Sequence, residues 1–389
     1  MEPFRFEYDP GVIRAGEGVV ADLGAELARH GAERALVVTG RTVGEQPAVM
    51  DPVRGGLGDH LADVFAATTP AKTLDTSRDA ARAMREADAD ALVALGGGSS
   101  LDVAGVASVV AASDRSYAAL RAEAERTGSL TVPDGSLPPV FAVPTTLAGA
   151  DLSTAAGFTV DGAAGSVSDP RLMPTAACYD PELFATTPSG VLRASAMNGF
   201  DKGVETIYAA AATPVTDATA TRGLERLRDS LPTLARPDPT EWDLESVIEG
   251  TVLVQYGVAR PDASTLSVIH AFGHGLRGVA GVHQGRAHAA VAPEALAHLF
   301  GHVDARRDEL ADALGVPDGE DPADGVVAAV ADVRDALELP GRLRALDGLD
   351  ESMLDDVAAA VASDRLLANA PAGYRLDPAD ARAVLDSAW

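Results

Sequence analysis

In the first half of the chain, short apolar runs alternate with stretches of helical spacing. "RALVVTG" (34–40), "DALVALGGGSS" (90–100) and "VFAVPTT" (140–146) are nearly uninterrupted apolar runs that end in glycine or in Pro-Thr-Thr. Such runs suit strands buried on both faces of a parallel sheet. "TSRDAARAMREADA" (76–89) has apolar positions at helical spacing behind a Thr/Ser start, and "LDVAGVASVVAA" (101–112) predicts a second helix. The polar segment 121–139 predicts a surface excursion. From about residue 186 the spacing is helical almost throughout, broken at "RPDPTEW" (236–242) and "GVPDGEDPADG" (315–325). The pattern predicts an α/β domain over 1–185, with a mostly parallel sheet and helices on both faces, then an all-helical domain over 186–389.

Composition narrows the function classes. The chain has 389 residues, enough for two domains, and 47% of them are hydrophobic, which argues against disorder. Its 31 basic and 58 acidic residues give a formal charge of −27. A field of that sign repels nucleic acid and anionic membranes, so neither is expected as a partner. The acidic residues are scattered, and with lysine almost absent the composition looks halophilic: the charge reports habitat more than mechanism. The acidic opening "MEPFRFEYDPG" lacks the apolar core of a signal peptide, and no run is long enough to span a membrane, so a cytoplasmic protein is expected. The single cysteine, Cys178, excludes an intrachain disulfide.

Candidate chemistry sits where the runs end. Gly96, Gly97, Gly98 and Ser99 follow one strand and open a helix, removing Cβ atoms where backbone N–H groups would approach an anion. This is either a phosphate loop or simply a tight strand-to-helix turn, and it is not GxGxxG. Thr145, Thr146 and Leu147 open a second loop after the next strand, and ligands bind at that edge of an open α/β sheet. Six of the eight histidines fall within 270–302. His270 and His274 share a helical face at i, i+4, His283 and His288 follow, and His298 and His302 read as helix-surface residues. The chain holds only two lysines, Lys72 and Lys202, the latter in "MNGFDKGVETIY" (197–208).

Together, "FRFEYDPGVIRAGEGVVADLG", "GGGSSLD", "VPTTLAGAD", "DPRLMPTAACYDPELFATTP" and "HAFGHGLRG", in that order, resemble the iron-containing alcohol dehydrogenase family of the dehydroquinate-synthase-like superfamily. The resemblance runs nearly end to end. It implies a Rossmann-like nucleotide-binding domain, a helical domain, and a cleft between them for NAD or NADP and a divalent metal, usually in a homo-oligomer. Gly96–Ser99, Asp102, Thr145, Thr146 and Leu147 match its nucleotide-binding parts. Near Gly40, many relatives carry an acid that binds the ribose; here Arg41 follows instead, which tilts the cofactor toward NADP. The family usually has lysine where this chain has Gly105.

The metal set departs further. By family register, Asn198 stands at the ligand aspartate and Lys202 at the first ligand histidine. His270 matches the third ligand, and spacing selects Gln284 for the fourth, with His283 one residue early. A cation cannot share a site with a divalent ion unless it loses its proton. The expectation is that metal is absent (if one binds, it binds at His270 and His283) and that Lys202 replaces it as electrophile, oriented by Asp201 and Glu205. The plain alternative is a surface pair of Lys202 with Glu205 at i+3. Asn198 and His288 also match maleylacetate reductases, a branch described as working without metal. A carboxylate-bearing substrate could then pair with Arg277, Arg286 or Lys202.

The leading expectation is an NAD(P)-dependent, metal-independent reductase or dehydrogenase of a small carbonyl or alcohol. His274 would be its proton shuttle, with His270 and His288 shaping the pocket. The alternatives are a non-redox lyase, aldolase or cyclase using Lys202 on the same scaffold, and an idle binding or subunit protein.

Overall fold

The computed structural model describes residues 3–261 and 263–389. The first two residues of the acidic opening lie outside the described residues. Among the described residues eight strands occur: β1 Val12–Ala15, β2 Ala35–Gly40, β3 Leu61–Thr68, β4 Ala91–Gly96, β5 Val140–Pro144, β6 Ala155–Val160, β7 Ala163–Ser168 and β8 Ala176–Tyr179. Six form one parallel sheet in the order β1-β8-β5-β4-β2-β3, and β6 and β7 form a separate antiparallel hairpin. Among the described residues, every later named element is helical.

Period-two alternation decides which side chains face which layer. Leu36, Val38, Leu92 and Ala94 join the core that continues into the helical half. Their neighbours Val37, Val93 and Leu95 join a second core with Leu23, Leu27, Met50 and Val53 on the opposite face. The central strands are therefore apolar at nearly every position. Neighbours β2 and β4 diverge in their connections: the chain leaves β2 toward β3 and returns on the other side as β4. Their C-terminal ends, Gly40 and Gly96, flank this switch point, where open α/β sheets form a crevice.

Helix boundaries differ from the sequence pattern at two places. The helix Leu74–Glu86 starts earlier than expected, because the Thr73 hydroxyl accepts from the Thr76 N–H and caps it. The expected surface excursion at 121–139 instead opens with the end of a helix, Tyr117–Thr127, which is capped by Ser116 and buries Leu120 and Ala124. The loop that Thr145, Thr146 and Leu147 open runs into β6. That strand packs on the Gly98–Ala112 helix so closely that a Cβ on Gly105 would stand 2.9 Å from the Ala156 Cβ. A lysine at 105 has no room. Among the described residues, no helix is long and apolar enough to cross a membrane.

Candidate active site

The Ser189–Tyr208 helix is buried along most of its length, and among the polar groups it carries inward are Asn198, Asp201, Lys202 and Glu205. Spacings of three and four residues place them on adjoining faces of one helix. Each meets a partner from another element. Lys202, 8% exposed, donates from Nζ to the carbonyl oxygen of Gly149, in the loop after β5. Burial pushes the Lys202 ammonium down to about 8, against the opposing pull of the Asp151, Glu205 and Asp102 charges. It makes no pair with Glu205 on an exposed face, and neither Asp201 nor Glu205 orients it by a hydrogen bond. Those two carboxyls serve histidines instead.

Glu205 Oε2 stands 2.6 Å from His270 Nδ1, and the carboxyl also accepts from the backbone N–H groups of His270 and Ser267 at 3.0 Å each. His270 Nε2 donates to Asn198 Oδ1 at 3.0 Å. In a neutral ring, Nδ1 is then the acceptor, and the contact is a hydrogen bond when the carboxyl carries the proton. The electrostatics agree: burial raises Glu205 to about 7, opposed by the backbone N–H groups, and burial pushes His270 well below its ordinary value. His288 packs edge-on against His270, with ring centroids 4.5 Å apart. Its Nδ1 lies 3.1 Å from Asp201 Oδ2. Burial drives Asp201 well above its ordinary value and His288 down to about 3, so this pair is neutral. His288 fits because residue 273 lacks a Cβ, which would stand 2.2 Å from Nε2.

His274 is one turn from His270, but its side chain is 44% exposed and bonds Asp364 through Nδ1 at 2.9 Å. Burial works against the Asp364 charge, yet the His274 contact and the Leu366 N–H hold that carboxyl below its usual range. Three histidines thus each have a carboxyl partner, and two of the three lie inside the protein. His283 is exposed at the start of the Gln284–His302 helix, whereas Gln284 turns inward, its Nε2 3.5 Å from His288 Nε2. His298 and His302 stack on each other beside Tyr374. The histidine run therefore divides between distinct sites.

The nucleotide-side residues converge at the sheet edge. Thr145 N–H donates to the Gly96 carbonyl at 3.0 Å, and a Cβ on Gly97 would stand 3.2 Å from Thr146 Cγ2. Leu147 is buried, its N–H held by Ser195 Oγ at 3.0 Å, which ties this loop to the helix that carries Lys202. Gly98 and Ser99 are half-buried in the first turn of the Gly98–Ala112 helix. Gly40 precedes a short helix that Arg41 opens, and Arg41 is exposed. Asp102 accepts from the Gly157 N–H at 2.9 Å and pairs with Lys72. Arg277 reaches across to the Pro70 carbonyl at 3.2 Å, and Arg286 is exposed.

Three buried residues that sequence reasoning passed over complete the surroundings of Lys202. Tyr179 donates to Asp151, and Gln255 Nε2 donates to Asp151 Oδ2 at 2.7 Å and to the Tyr179 oxygen at 3.0 Å. Lys72 and Asp364 were passed over as well. Lysine scarcity marks Lys72 as clearly as it marks Lys202; for Asp364 no local signal exists.

The family metal implies donors that these residues do not supply. Asn198 is a neutral amide, Lys202 a cation, His270 Nε2 a hydrogen-bond donor as arranged, and Gln284 a weak ligand. Among the described residues, no group of three or more His, Cys, Asp or Glu side chains is gathered as a metal cage.

Known proteins place the chain. Residues 10–181 match the iron-containing alcohol dehydrogenase model, and residues 193–388 match the C-terminal model of the Fe-containing alcohol dehydrogenase family. The 4-hydroxybutyrate dehydrogenase of Cupriavidus necator is 31% identical over 367 residues, covering 89% of this chain and 90% of that protein. Maleylacetate reductase 1 of Cupriavidus pinatubonensis is 28% identical over 303 residues, 77% of this chain and 75% of that one. The fold also matches sulfoacetaldehyde reductase from Bifidobacterium kashiwanohense, solved in complex with NAD+. That likeness has a TM-score of 0.82 at 18% identity and covers 99% of each chain. With both halves matched and the parallel sheet and helical half in place, the chain is an oxidoreductase that belongs to the iron-containing alcohol dehydrogenase family, near the maleylacetate reductases.

Proposed function

We propose that this enzyme is an NAD(P)-dependent reductase or dehydrogenase of a small carbonyl or alcohol that works without metal, with Lys202 as the electrophile. The observation that carries the reading is the placement of Lys202. Its ammonium is buried, and it is tied through Gly149 to the loop that flanks the Gly96–Ser99 turn. A fixed positive charge in a low-dielectric site stabilises the oxyanion that develops as a carbonyl is reduced. A bound nicotinamide would supply the hydride, and the glycine turn at the helix start suits its pyrophosphate. Arg41, with no acid near Gly40, favours NADP.

The reaction adds one hydride to the carbonyl carbon and one proton to the oxygen. Lys202 polarises that oxygen, and His274, with Asp364 fixing its Nδ1, relays the proton from solvent through Nε2. His270, His288 and Asn198 form a neutral wall and leave Lys202 as the local charge. A carboxylate-bearing substrate fits the cations Lys202, Arg277 and Arg286. The relatives' names point the same way, because 4-hydroxybutyrate and maleylacetate are both carboxylates.

The test is elemental analysis for Fe, Zn, Mn and Ni on protein purified in high salt, with NADH and NADPH titrations on the same sample. Turnover of 4-hydroxybutyrate and maleylacetate follows. Nucleotide binding with substoichiometric metal supports the reading; stoichiometric metal overturns it.

A second reading rests on the same depressed ammonium. At about 8, Lys202 has a share of free amine at neutral pH, which suits Schiff-base chemistry in a lyase or aldolase. Borohydride inactivation only in the presence of a carbonyl substrate would favour it.

A further inference from the structure

Gln255 lies at the end of the Leu244–Gln255 helix and is 1% exposed. Its amide nitrogen is committed to Asp151 and Tyr179. Turning the amide over would set its oxygen against two oxygens, so the orientation is fixed and Oε1 points the other way. There, Oε1 is buried and has no hydrogen-bond partner. Buried polar atoms are paired in the great majority of cases, so an orphan beside a cleft calls for an occupant.

One candidate is Lys202. Gln255 Oε1 and Lys202 Nζ lie 2.5 Å and 3.0 Å from one point, the place where a Cβ on Gly149 would stand. An ammonium has three N–H donors, and one of them is used on the Gly149 carbonyl. We propose that Gln255 is a positioning residue for Lys202: the two atoms are at most 5.5 Å apart and unbonded as the structure stands, and a small side-chain rotation lets the free amide oxygen accept a second N–H, so that the working ammonium is held between Gly149 O and Gln255 Oε1 and presents one N–H to the substrate. Asp151 and Tyr179 act one step back, by locking the amide.

This inference rests on the proposed role of Lys202 and sharpens it. A metal ion can bind two substrate oxygens at once. A lysine anchored at two points offers one directed hydrogen bond, so recognition falls on a single carbonyl oxygen and the rest of the substrate must be held by other groups.

Two lysines in the chain make the experiment direct. Protein labelled with 13Cε-lysine gives two lysine signals, assigned by Lys72→Arg, and the Lys202 signal is titrated without any substrate. The titratable groups that interact with Lys202 are Asp151, Glu205, Asp102, His270 and His288, so their influence has to be separated from that of Gln255. In Gln255→Leu, the proton affinity of Lys202 should fall about tenfold, since a charge-assisted hydrogen bond is lost. The fall should persist when Asp151→Asn is also present. Gln255→Met, which keeps the length of the side chain without the amide oxygen, should lower the affinity in the same way, and it decides the matter if the leucine variant fails to fold. Folded variants with an unmoved Lys202 titration, or a shift that vanishes in the Asp151→Asn background, overturn the proposal. Lys202→Met separates the two claims: if it leaves turnover intact, the electrophile reading fails whatever the titrations show.

Discussion

The Lys202 ammonium bonds the carbonyl oxygen of Gly149, joining the helical half of the chain to the edge of the parallel sheet. Gly149 has φ +69°, and a Cβ there would meet Gln255 Oε1 at 2.5 Å and Lys202 Nζ at 3.0 Å. Gly149→Ala is therefore expected to cost about 1–3 kcal/mol in stability. It should also displace the lysine. Thermal melting measures the first effect and the Lys202 titration the second.

Lys202 carries a pH prediction whose sign is fixed by burial. Its folded value, about 8, is below the ordinary 10.5, so the folded chain holds this proton less tightly than the unfolded chain. Its contribution to stability rises with pH from about 8 toward 10.5. Carbonyl reduction should instead decline as pH rises through about 8, because the ammonium form is lost. Lys202→Met should lose that alkaline limb and about 10²- to 10³-fold in kcat. It should melt no lower than wild type at pH 7, with the difference shrinking toward pH 10.

The neutral Asp201–His288 pair predicts an asymmetry between two substitutions. Asp201→Asn preserves shape and neutrality and should change stability by less than about 1 kcal/mol. Asp201→Ala strands the buried His288 Nδ1 and opens a void, costing about 2–4 kcal/mol. Chemical denaturation of both variants at pH 7 checks this; equal losses would mean that the carboxyl is ionised.

His274 and Asp364 lie on the open side of the cluster. His274→Gln should slow turnover by about 10²-fold, and Asp364→Asn by less, while nucleotide affinity and melting temperature stay near wild type. Steady-state kinetics with fluorescence titration of NADPH tests the pair.

The α/β then helical organisation was legible because strands buried on two faces and helices buried along one stripe leave different periods in the sequence. The glycine turn was legible for the same local reason. The site was legible only along single helices. Asn198 and Lys202 could be paired by register, and His270 by spacing, but what surrounds Lys202 comes from elsewhere: its hydrogen-bond partner Gly149 lies after β5, and the bonded group of Asp151, Tyr179 and Gln255 draws on the loop beyond it, the end of β8 and a later helix. No periodicity connects them. Asp201 and Glu205 were noticed as carboxyls on the right helix but assigned to the lysine. Their actual partners follow from tertiary packing, which brings the His270 and His288 rings together. His283 shows the reverse case, a plausible ligand type that the start of its helix turns outward.

Lys72 is the other lysine of the chain. It has a left-handed backbone at φ 42°, and its N–H and carbonyl are held by Thr69 O and the Thr159 N–H. It pairs with Asp102 one turn into the helix after the glycine loop. Lys72→Met would leave Asp102 as an unneutralised carboxylate near the proposed pyrophosphate site. The Kd for NADPH should rise about tenfold at low salt, and less in concentrated salt, where screening is strong.

With lysine confined to these two positions, a lysine-specific protease has two bonds to cut, Lys72–Thr73 and Lys202–Gly203. One lies in a tied turn and the other inside a buried helix, so the folded molecule offers such a protease no accessible substrate. Cleavage then reports how often these two segments open. A ligand that binds only the folded form protects the chain in proportion to its occupancy, and the band pattern on a gel becomes a binding assay that needs neither a chromophore nor turnover.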